Sequence, residues 1–153
     1  MKRKILSILC LMLALVPCLT MVGCKKDKSE QLGGHFRATS VTVTTSAGSA
    51  TTSVDQYDEL VAKGDKTLDE EMQLAMVETF FQMNLWFYDD YSFIQSFDYD
   101  EEDIETVMGS YTLKGENLSI SCEGETINCK YADGKITMTI TDQDITITAI
   151  FEK

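Results

Sequence analysis

The second half of the chain alternates between apolar and polar residues with a period of two. Ile136, Met138 and Ile140 occupy one parity, with threonines between them. Successive side chains of a strand point to opposite faces, so this alternation predicts strands with one buried and one exposed side. On the same criteria strands are predicted in eight segments, which are 34–45, 85–88, 91–97, 107–113, 118–122, 127–131, 136–140 and 145–151.

The segments between these strands are short and rich in turn-forming residues. Asp133-Gly134 is the clearest, because a two-residue turn there pairs Tyr131 with Ile136, apolar against apolar. In the first strand the apolar parity changes between Ala38 and Val41, which indicates either a bulge or a change of face midway. Sequential antiparallel strands with one apolar face tend to close into an up-and-down barrel, because closure pairs their exposed edges. An eight-stranded barrel of this kind is either filled by side chains or holds one small ligand.

Two helices are predicted between the first two of these strands, after a small polar stretch, Ser46 to Thr52, that indicates a loop. Ser53-x-x-Gln56 and Thr67-x-x-Glu70 fit capping boxes, and Lys63-Gly64 fits a left-handed helix stop. The predicted helices are about 10 and about 17 residues long. The second has apolar residues at helical spacing, namely Leu68, Met72, Ala75, Met76, Phe80 and Met83. The fold class predicted is mainly β, an antiparallel up-and-down barrel of about eight strands with a two-helix insertion after the first strand.

The N-terminal residues have the layout of an export signal. Lys2, Arg3 and Lys4 precede an apolar run from Ile5 to Val16, which is shorter than the about 20 residues of a membrane-spanning helix. Met21-Val22-Gly23-Cys24 resembles the lipobox of bacterial lipoproteins. This resemblance implies that residues 1–23 are removed and that Cys24 is acylated, for example with palmitate, which would anchor the protein to the extracytoplasmic side of the cell membrane. The alternative is an ordinary secretory signal with a chance cysteine.

Residues 24–32 are then predicted to be a lipidated tether, and residues 33–153 the domain. Gly34-His35-Phe36 resembles the G-x-W opening of lipocalins with Phe in place of Trp, and Leu85 to Phe97 resembles their aromatic hairpin. Gly109 to Leu118 resembles the G-x-Y-x-L, turn, strand pattern of the same family. Over residues 33–153 the chain therefore resembles the lipocalin-like domains of bacterial surface lipoproteins, which implies a barrel.

The net charge of the chain limits the classes of partner that we expect. All 25 Asp and Glu follow the signal, with 10 of the 13 Lys and Arg, so the mature chain carries a charge of −15. Nucleic acid is not expected as a partner, because its phosphates must be neutralised by Lys and Arg. Contact with the membrane is expected through the anchor at Cys24 alone, since an acidic surface is repelled by anionic lipid.

The residues that could carry catalysis or bind a metal are few. His35 is the only histidine, and a catalytic histidine needs a nucleophile within reach, so we expect no enzyme. Asp98 to Glu105 is acidic and offers oxygen ligands that suit calcium, but it lacks the spacing of a calcium loop and is interpreted as a solvated loop. No cofactor and no metal are expected.

Aromatic and methionine side chains offer a candidate pocket for a small apolar ligand. The candidate lining residues are Trp86, Tyr88, Phe93, Tyr111, Tyr131 and Met76. The same residues could simply fill the core, so two functions stay open. One is a membrane-anchored extracytoplasmic module that binds a small apolar molecule. The other is a filled barrel with a structural role or a protein partner.

Cys122 and Cys129 are predicted on adjacent strands and could form a disulfide in an oxidising compartment. A turn centred on Glu125-Thr126 places the two cysteines opposite each other, whereas a turn centred on Gly124-Glu125 places Cys122 opposite Ile127. The alternative is two small buried thiols.

Overall fold

The computed structural model of the chain describes residues 29–98 and 104–153. Within them lie nine strands and two helices. In chain order these are β1 (Gly34–Thr45), β2 (Gly48–Ser53), α1 (Val54–Ala62), α2 (Leu68–Phe81), β3 (Met83–Phe87), β4 (Ser92–Asp98), β5 (Ile104–Lys114), β6 (Asn117–Cys122), β7 (Glu125–Ala132), β8 (Lys135–Asp142) and β9 (Ile145–Glu152).

Eight of these strands form a closed antiparallel barrel. The strand order is β1, β3, β4 and onward to β9, and β9 pairs back onto β1, with Val43 opposite Ile147. The register of this last pairing shifts between Ala38 and Ser40, which favours the bulge over the change of face as the reason for the change of parity. Tyr131 lies opposite Ile136 across the Asp133-Gly134 turn. The predicted fold class is confirmed, with the helix pair inserted after β1 and β2.

The prediction of a loop over Ser46 to Thr52 is wrong. Gly48–Ser53 forms strand β2, which pairs with the second half of β1 while the first half of β1 pairs with β3. Threonine and serine hydroxyls bridge the hairpin, at 2.8 Å between Thr42 and Thr51. The hairpin lacks apolar alternation because much of it is exposed, so hydroxyl pairs and backbone hydrogen bonds hold it together.

Both predicted capping boxes are present. The Ser53 hydroxyl accepts from the Gln56 amide and the Thr67 hydroxyl accepts from the Glu70 amide, and the Gln56 and Glu70 side chains accept from the cap amides in return. The prediction of a left-handed helix stop at Lys63-Gly64 is wrong. Helix α1 ends at Lys63, whose backbone is extended with φ −71° and ψ 122°, and Gly64 has no positive φ. Helix α2 is 14 residues long, shorter than predicted.

The interior of the barrel is filled by side chains. A cavity wide enough for water would leave accessible surface on the side chains around it, yet six large interior residues are at most 1 % exposed. They come from different strands around the barrel and are Phe36, Leu85, Phe93, Tyr111, Ile136 and Phe151. The space between these residues is therefore too small to hold water.

The barrel has two ends, which are closed differently. At the helix end α2 places Val77, Phe80 and Phe81 against the core, and Tyr57 of α1 stacks on Phe81 with ring centroids 4.6 Å apart. The opposite end carries the turns after β3, β5 and β7, and a segment that we call the strap, Ser29–Leu32, runs across it. Leu32 is 3 % exposed and belongs to the core.

The strap is bound by hydrogen bonds rather than solvated as a tether. The Glu30 amide donates to the Leu113 carbonyl at 2.8 Å, and the Leu32 amide donates to the Tyr111 hydroxyl at 2.8 Å. Tyr111 in turn donates to the Tyr88 carbonyl at 2.9 Å. Residues 29–32 therefore form part of the folded domain, which begins earlier than the predicted boundary at residue 33.

Candidate functional site

A row of side chains crosses the outer wall of the barrel on four neighbouring strands. His35 of β1 lies opposite Trp86 of β3, Trp86 opposite Ile94 of β4, and Ile94 opposite Met108 of β5. The neighbours of Trp86 along β3, Leu85 and Phe87, are buried inside the barrel, so the row faces outward. We call these four residues the outer-wall row. Its two largest apolar members are exposed, Trp86 by 39 % and Met108 by 72 %.

A chain of polar contacts holds one end of the row in place. The His35 and Trp86 rings stack with centroids 3.8 Å apart and planes 1° apart. His35 Nε2 lies 2.9 Å from Asn84 Oδ1, and Asn84 Nδ2 donates to Asp98 Oδ2 at 2.8 Å. Because the Asn84 amide nitrogen is used toward the carboxylate, its oxygen faces the imidazole and His35 Nε2 is the donor.

This polar chain explains why a histidine and a buried amide occur on the wall. Asn84 is only 5 % exposed, and a buried amide is costly unless its donors and acceptors are used. Its contacts with His35 and Asp98 use both sides of the amide. These polar contacts also fix the His35 imidazole against the Trp86 indole, so Trp86 is held in one orientation.

The structure does not bring the six candidate pocket residues together. Phe93 and Tyr111 lie inside the barrel, and Tyr131 is half-buried against Phe36, with ring centroids 6.4 Å apart. Trp86 is on the outer wall, Tyr88 is exposed at the strap end and Met76 is exposed at the helix end.

An open groove at the helix end combines one candidate pocket residue with other apolar side chains. It lies between the β1–β2 hairpin and α2, has a volume of about 330 Å³, and is lined by Val43, Ala50 and Met76 among others. Gln73 Nε2 donates to Thr52 Oγ1 at 2.7 Å and joins the two walls. Of the predicted pocket residues, only Met76 lines this groove.

Cys122 and Cys129 are both free thiols. The turn between β6 and β7 is Glu123-Gly124, so Cys122 lies opposite Glu125 and Cys129 opposite Leu118. Both registers considered from the sequence are wrong, and four strand positions, or about 13 Å, separate the thiols along the ladder. A disulfide needs Cα atoms within about 7 Å and is incompatible with this register. Burial raises the pKa of the Cys129 thiol to about 12.

Several sequence predictions fall outside the described residues. Cys24 and the signal are among them, as are Asp100, Glu101, Glu102 and Asp103 of the acidic run. Among residues 29–98 and 104–153, no three His, Cys, Asp or Glu side chains are grouped so that they could hold a metal ion. In the same residues neither helix has the length and apolar character needed to cross a bilayer.

Comparison with known proteins adds little to this geometry. No protein-family model and no curated protein matches the sequence. Among solved structures, the chain is similar to a DUF4847 family protein from Bacteroides vulgatus, with 12 % sequence identity and a TM-score of 0.44. The alignment covers 76 % of this chain and 91 % of that one. The barrel assignment therefore rests on the strand pairing described above.

Proposed function

We propose that this protein is a non-catalytic extracytoplasmic lipoprotein, anchored to the membrane through acylated Cys24, whose filled barrel binds a protein partner through the outer-wall row. The observation that carries the proposal is the contrast between the two faces of β3. Leu85 and Phe87 are buried in a packed interior, whereas Trp86 between them is exposed beside Ile94, which pairs in turn with the exposed Met108.

The chemistry of the row suits a protein surface. Tryptophan and methionine are enriched in protein interfaces, and tryptophan is among the residues that contribute most to binding energy. Trp86 is held by its stack on His35 before any partner arrives, so little side-chain entropy is lost on binding. Apolar side chains that are exposed together, with a polar rim, are typical of interaction sites.

Site-specific photocrosslinking tests this surface. A photoreactive amino acid in place of Met108, in the protein expressed in its own cells, should give a discrete adduct with one partner. The matched control places the same group at Thr139, which is exposed on β8 away from the row. Trp86→Ser should remove the adduct at position 108. Equal adducts at both positions, or none at position 108, would contradict the proposal.

The anchor is tested separately. Cys24→Ser should abolish labelling by a fatty-acid analogue and release the protein from membranes, because firm anchoring needs the acyl chains. Cys122→Ser is the matched control and should leave labelling unchanged. Undiminished labelling of the Cys24→Ser protein would refute the anchor.

A second candidate function is binding of a small apolar molecule, and the groove at the helix end favours it. Its volume of about 330 Å³ lies at the lower limit of ordinary ligand pockets, and Met76 and Val43 provide apolar walls. An apolar fluorescent probe should then bind in a way that Met76→Glu abolishes and Met108→Glu does not. Loss with both variants, or with neither, would argue against this site.

A further inference from the structure

The strap fixes where the chain enters the folded domain. Ser29 accepts from the Leu113 amide through its hydroxyl at 2.9 Å and from the Tyr91 hydroxyl through its carbonyl at 3.1 Å. Gln31 adds a side-chain bond to the Asp89 carbonyl at 2.7 Å. The first described residue is therefore held at the strap end, between the turns that follow β3 and β5.

Only residues 25–28 separate this point from Cys24. Five Cα steps of fully extended chain span at most about 18 Å. The strands measure about 26 Å along their length, and the usual tilt in a barrel reduces the height to about 20 Å. An acyl group at Cys24 therefore holds the strap end near the bilayer, and the helix end can approach only if the barrel lies on its side.

The charges of the two ends differ strongly. At the strap end, lysines pair with acidic residues, with Nζ to carboxylate oxygen distances of 3.0 Å for Lys130–Glu116 and 2.9 Å for Lys135–Glu152. Among described side chains, this half of the barrel carries five cationic groups, namely Arg37, Lys114, Lys130, Lys135 and Lys153, against six anionic ones, namely Glu30, Asp89, Asp90, Glu116, Asp133 and Glu152.

The helix end is strongly acidic by the same measure. It carries two cationic groups, Lys63 and Lys66, against thirteen anionic ones, namely Asp55, Asp58, Glu59, Asp65, Asp69, Glu70, Glu71, Glu78, Asp98, Glu123, Glu125, Asp142 and Asp144. Anionic headgroups attract lysines within about a Debye length and repel acidic groups. The negative charge of the barrel is therefore concentrated at the helix end, whereas the strap end, which is joined to the tether, is nearly neutral.

Exposed aromatic residues add to the asymmetry. Tyr88 and Tyr91 are exposed in the turn after β3 at the strap end. Tyrosine is enriched at membrane surfaces, where its ring contacts acyl chains and its hydroxyl stays near water. The strap end therefore has groups that suit a headgroup layer.

We infer that the barrel stands end-on on the membrane, with the strap end against the phospholipid headgroups and the helix end directed away. This inference rests on the proposed acylation of Cys24. The outer-wall row then lies on the side of the barrel, between the two ends, and the acidic helix pair faces away from the lipid.

Quenching by headgroup-labelled lipid tests the orientation. The acylated full-length protein, with Cys122→Ser and Cys129→Ala, receives one new cysteine for a fluorophore, either Asn117→Cys at the strap end or Thr141→Cys at the helix end. It is placed in phosphatidylethanolamine and phosphatidylglycerol vesicles that carry a nitroxide on the headgroup. The label at position 117 should be quenched at least about twofold more strongly, because the ends differ by about 20 Å in height.

The possible outcomes distinguish a failure of the end-on orientation from a failure of the proposed acylation of Cys24. Absence of acyl labelling, measured first, would remove the anchor and the orientation together. Acylated, membrane-bound protein with equal quenching at both positions would overturn the orientation alone. Insertion of about twelve Gly and Ser residues between Lys28 and Ser29 should bring the two quenching values together, since such a linker spans about 20 Å on average. An unchanged ratio would overturn the role of the short tether.

Discussion

The strap end and the helix end of the barrel close the same kind of opening by different means. At the strap end four residues contribute one buried leucine and hydrogen bonds to the Leu113 carbonyl and the Tyr111 hydroxyl, among others. At the helix end two capped helices spread the closure over 23 residues, yet α2 buries only Val77, Phe80 and Phe81. Leu68, Met72 and Met76 on the same helix remain exposed.

The two ends therefore differ in how strongly the fold depends on single side chains. A short extended segment has no backbone-to-backbone hydrogen bonds of its own, so each contact of the strap with the barrel is hard to replace. A helix satisfies its own backbone, and its position relative to the barrel needs only one apolar stripe. We therefore expect substitutions at the strap end to cost more than matched substitutions on the exposed part of the helix end.

The largest contrast should come from two leucines. Leu32→Ala removes a side chain that is 3 % exposed and should lower the free energy of unfolding by about 3 kcal/mol. Leu68→Ala is the matched control on α2, where the side chain is 70 % exposed, and should change it by less than about 0.5 kcal/mol. Urea unfolding of both variants measures the difference, and equal losses would contradict it.

A smaller loss should follow removal of one hydroxyl at the strap end. Tyr111→Phe deletes the group that accepts from the Leu32 amide and donates to the Tyr88 carbonyl. An unsatisfied buried amide costs about 1–3 kcal/mol, so we expect a loss of about 1.5 kcal/mol and faster hydrogen exchange at Leu32. Tyr91→Phe, at an exposed hydroxyl, should cost less. Unchanged exchange at Leu32 in Tyr111→Phe would contradict this account.

The stability of the helix end should depend on the side chains that cap its helices. Thr67→Ala removes the acceptor for the Glu70 amide and should cost about 1 kcal/mol. The effect should be confined to α2, where amide exchange should accelerate in the first turn while the barrel strands keep their protection. Thr67→Ser retains a capping hydroxyl and should restore most of the stability. Failure of serine to do so would mean that the hydroxyl is not the cause.

The smallest expected effect is the loss of stability at low pH when Glu70 is protonated. The hydrogen bond from the Lys63 ammonium, with the bond from the Thr67 amide, lowers the pKa of Glu70 from 4.5 to about 2. Ionised Glu70 therefore stabilises the fold fully above about pH 4.5 and loses this contribution as the pH falls through 2. The group is exposed, so the effect is screened by salt. Thermal unfolding between pH 5 and 2 should show a slightly smaller drop in Tm for Glu70→Gln than for the wild type, and identical drops would contradict the assignment.

The sequence predicts those parts of the fold whose signal is local. Alternation of isoleucine and threonine gives β8 and β9, and each capping box lies within four residues. Strand β2 has no such signal, because its serines and threonines pair on an exposed hairpin. The strap is also invisible in the sequence, since one leucine in a polar run becomes buried only when Tyr111 and Leu113 are brought beside it.

The outer-wall row depends on register, which no local pattern specifies. His35 and Met108 are 73 positions apart in the sequence and become part of one surface only through the pairing of four strands. Side chains alternate between the two faces of a strand, so Trp86 must face away from Leu85 and Phe87 on β3. Its outward position could therefore have been predicted. The Glu123-Gly124 turn could also have been predicted, because glycine at the second position is typical of a two-residue hairpin turn.

The proposed function requires that side chains fill the interior of the barrel and that partners bind to its outer surface. The decisive experiment is a native mass spectrum of the Cys24→Ser protein, purified from cells without detergent and compared with a denatured spectrum of the same sample. We predict the bare mass of the polypeptide in both spectra. Additional mass that is present in the native spectrum and disappears on denaturation would refute the filled-barrel proposal.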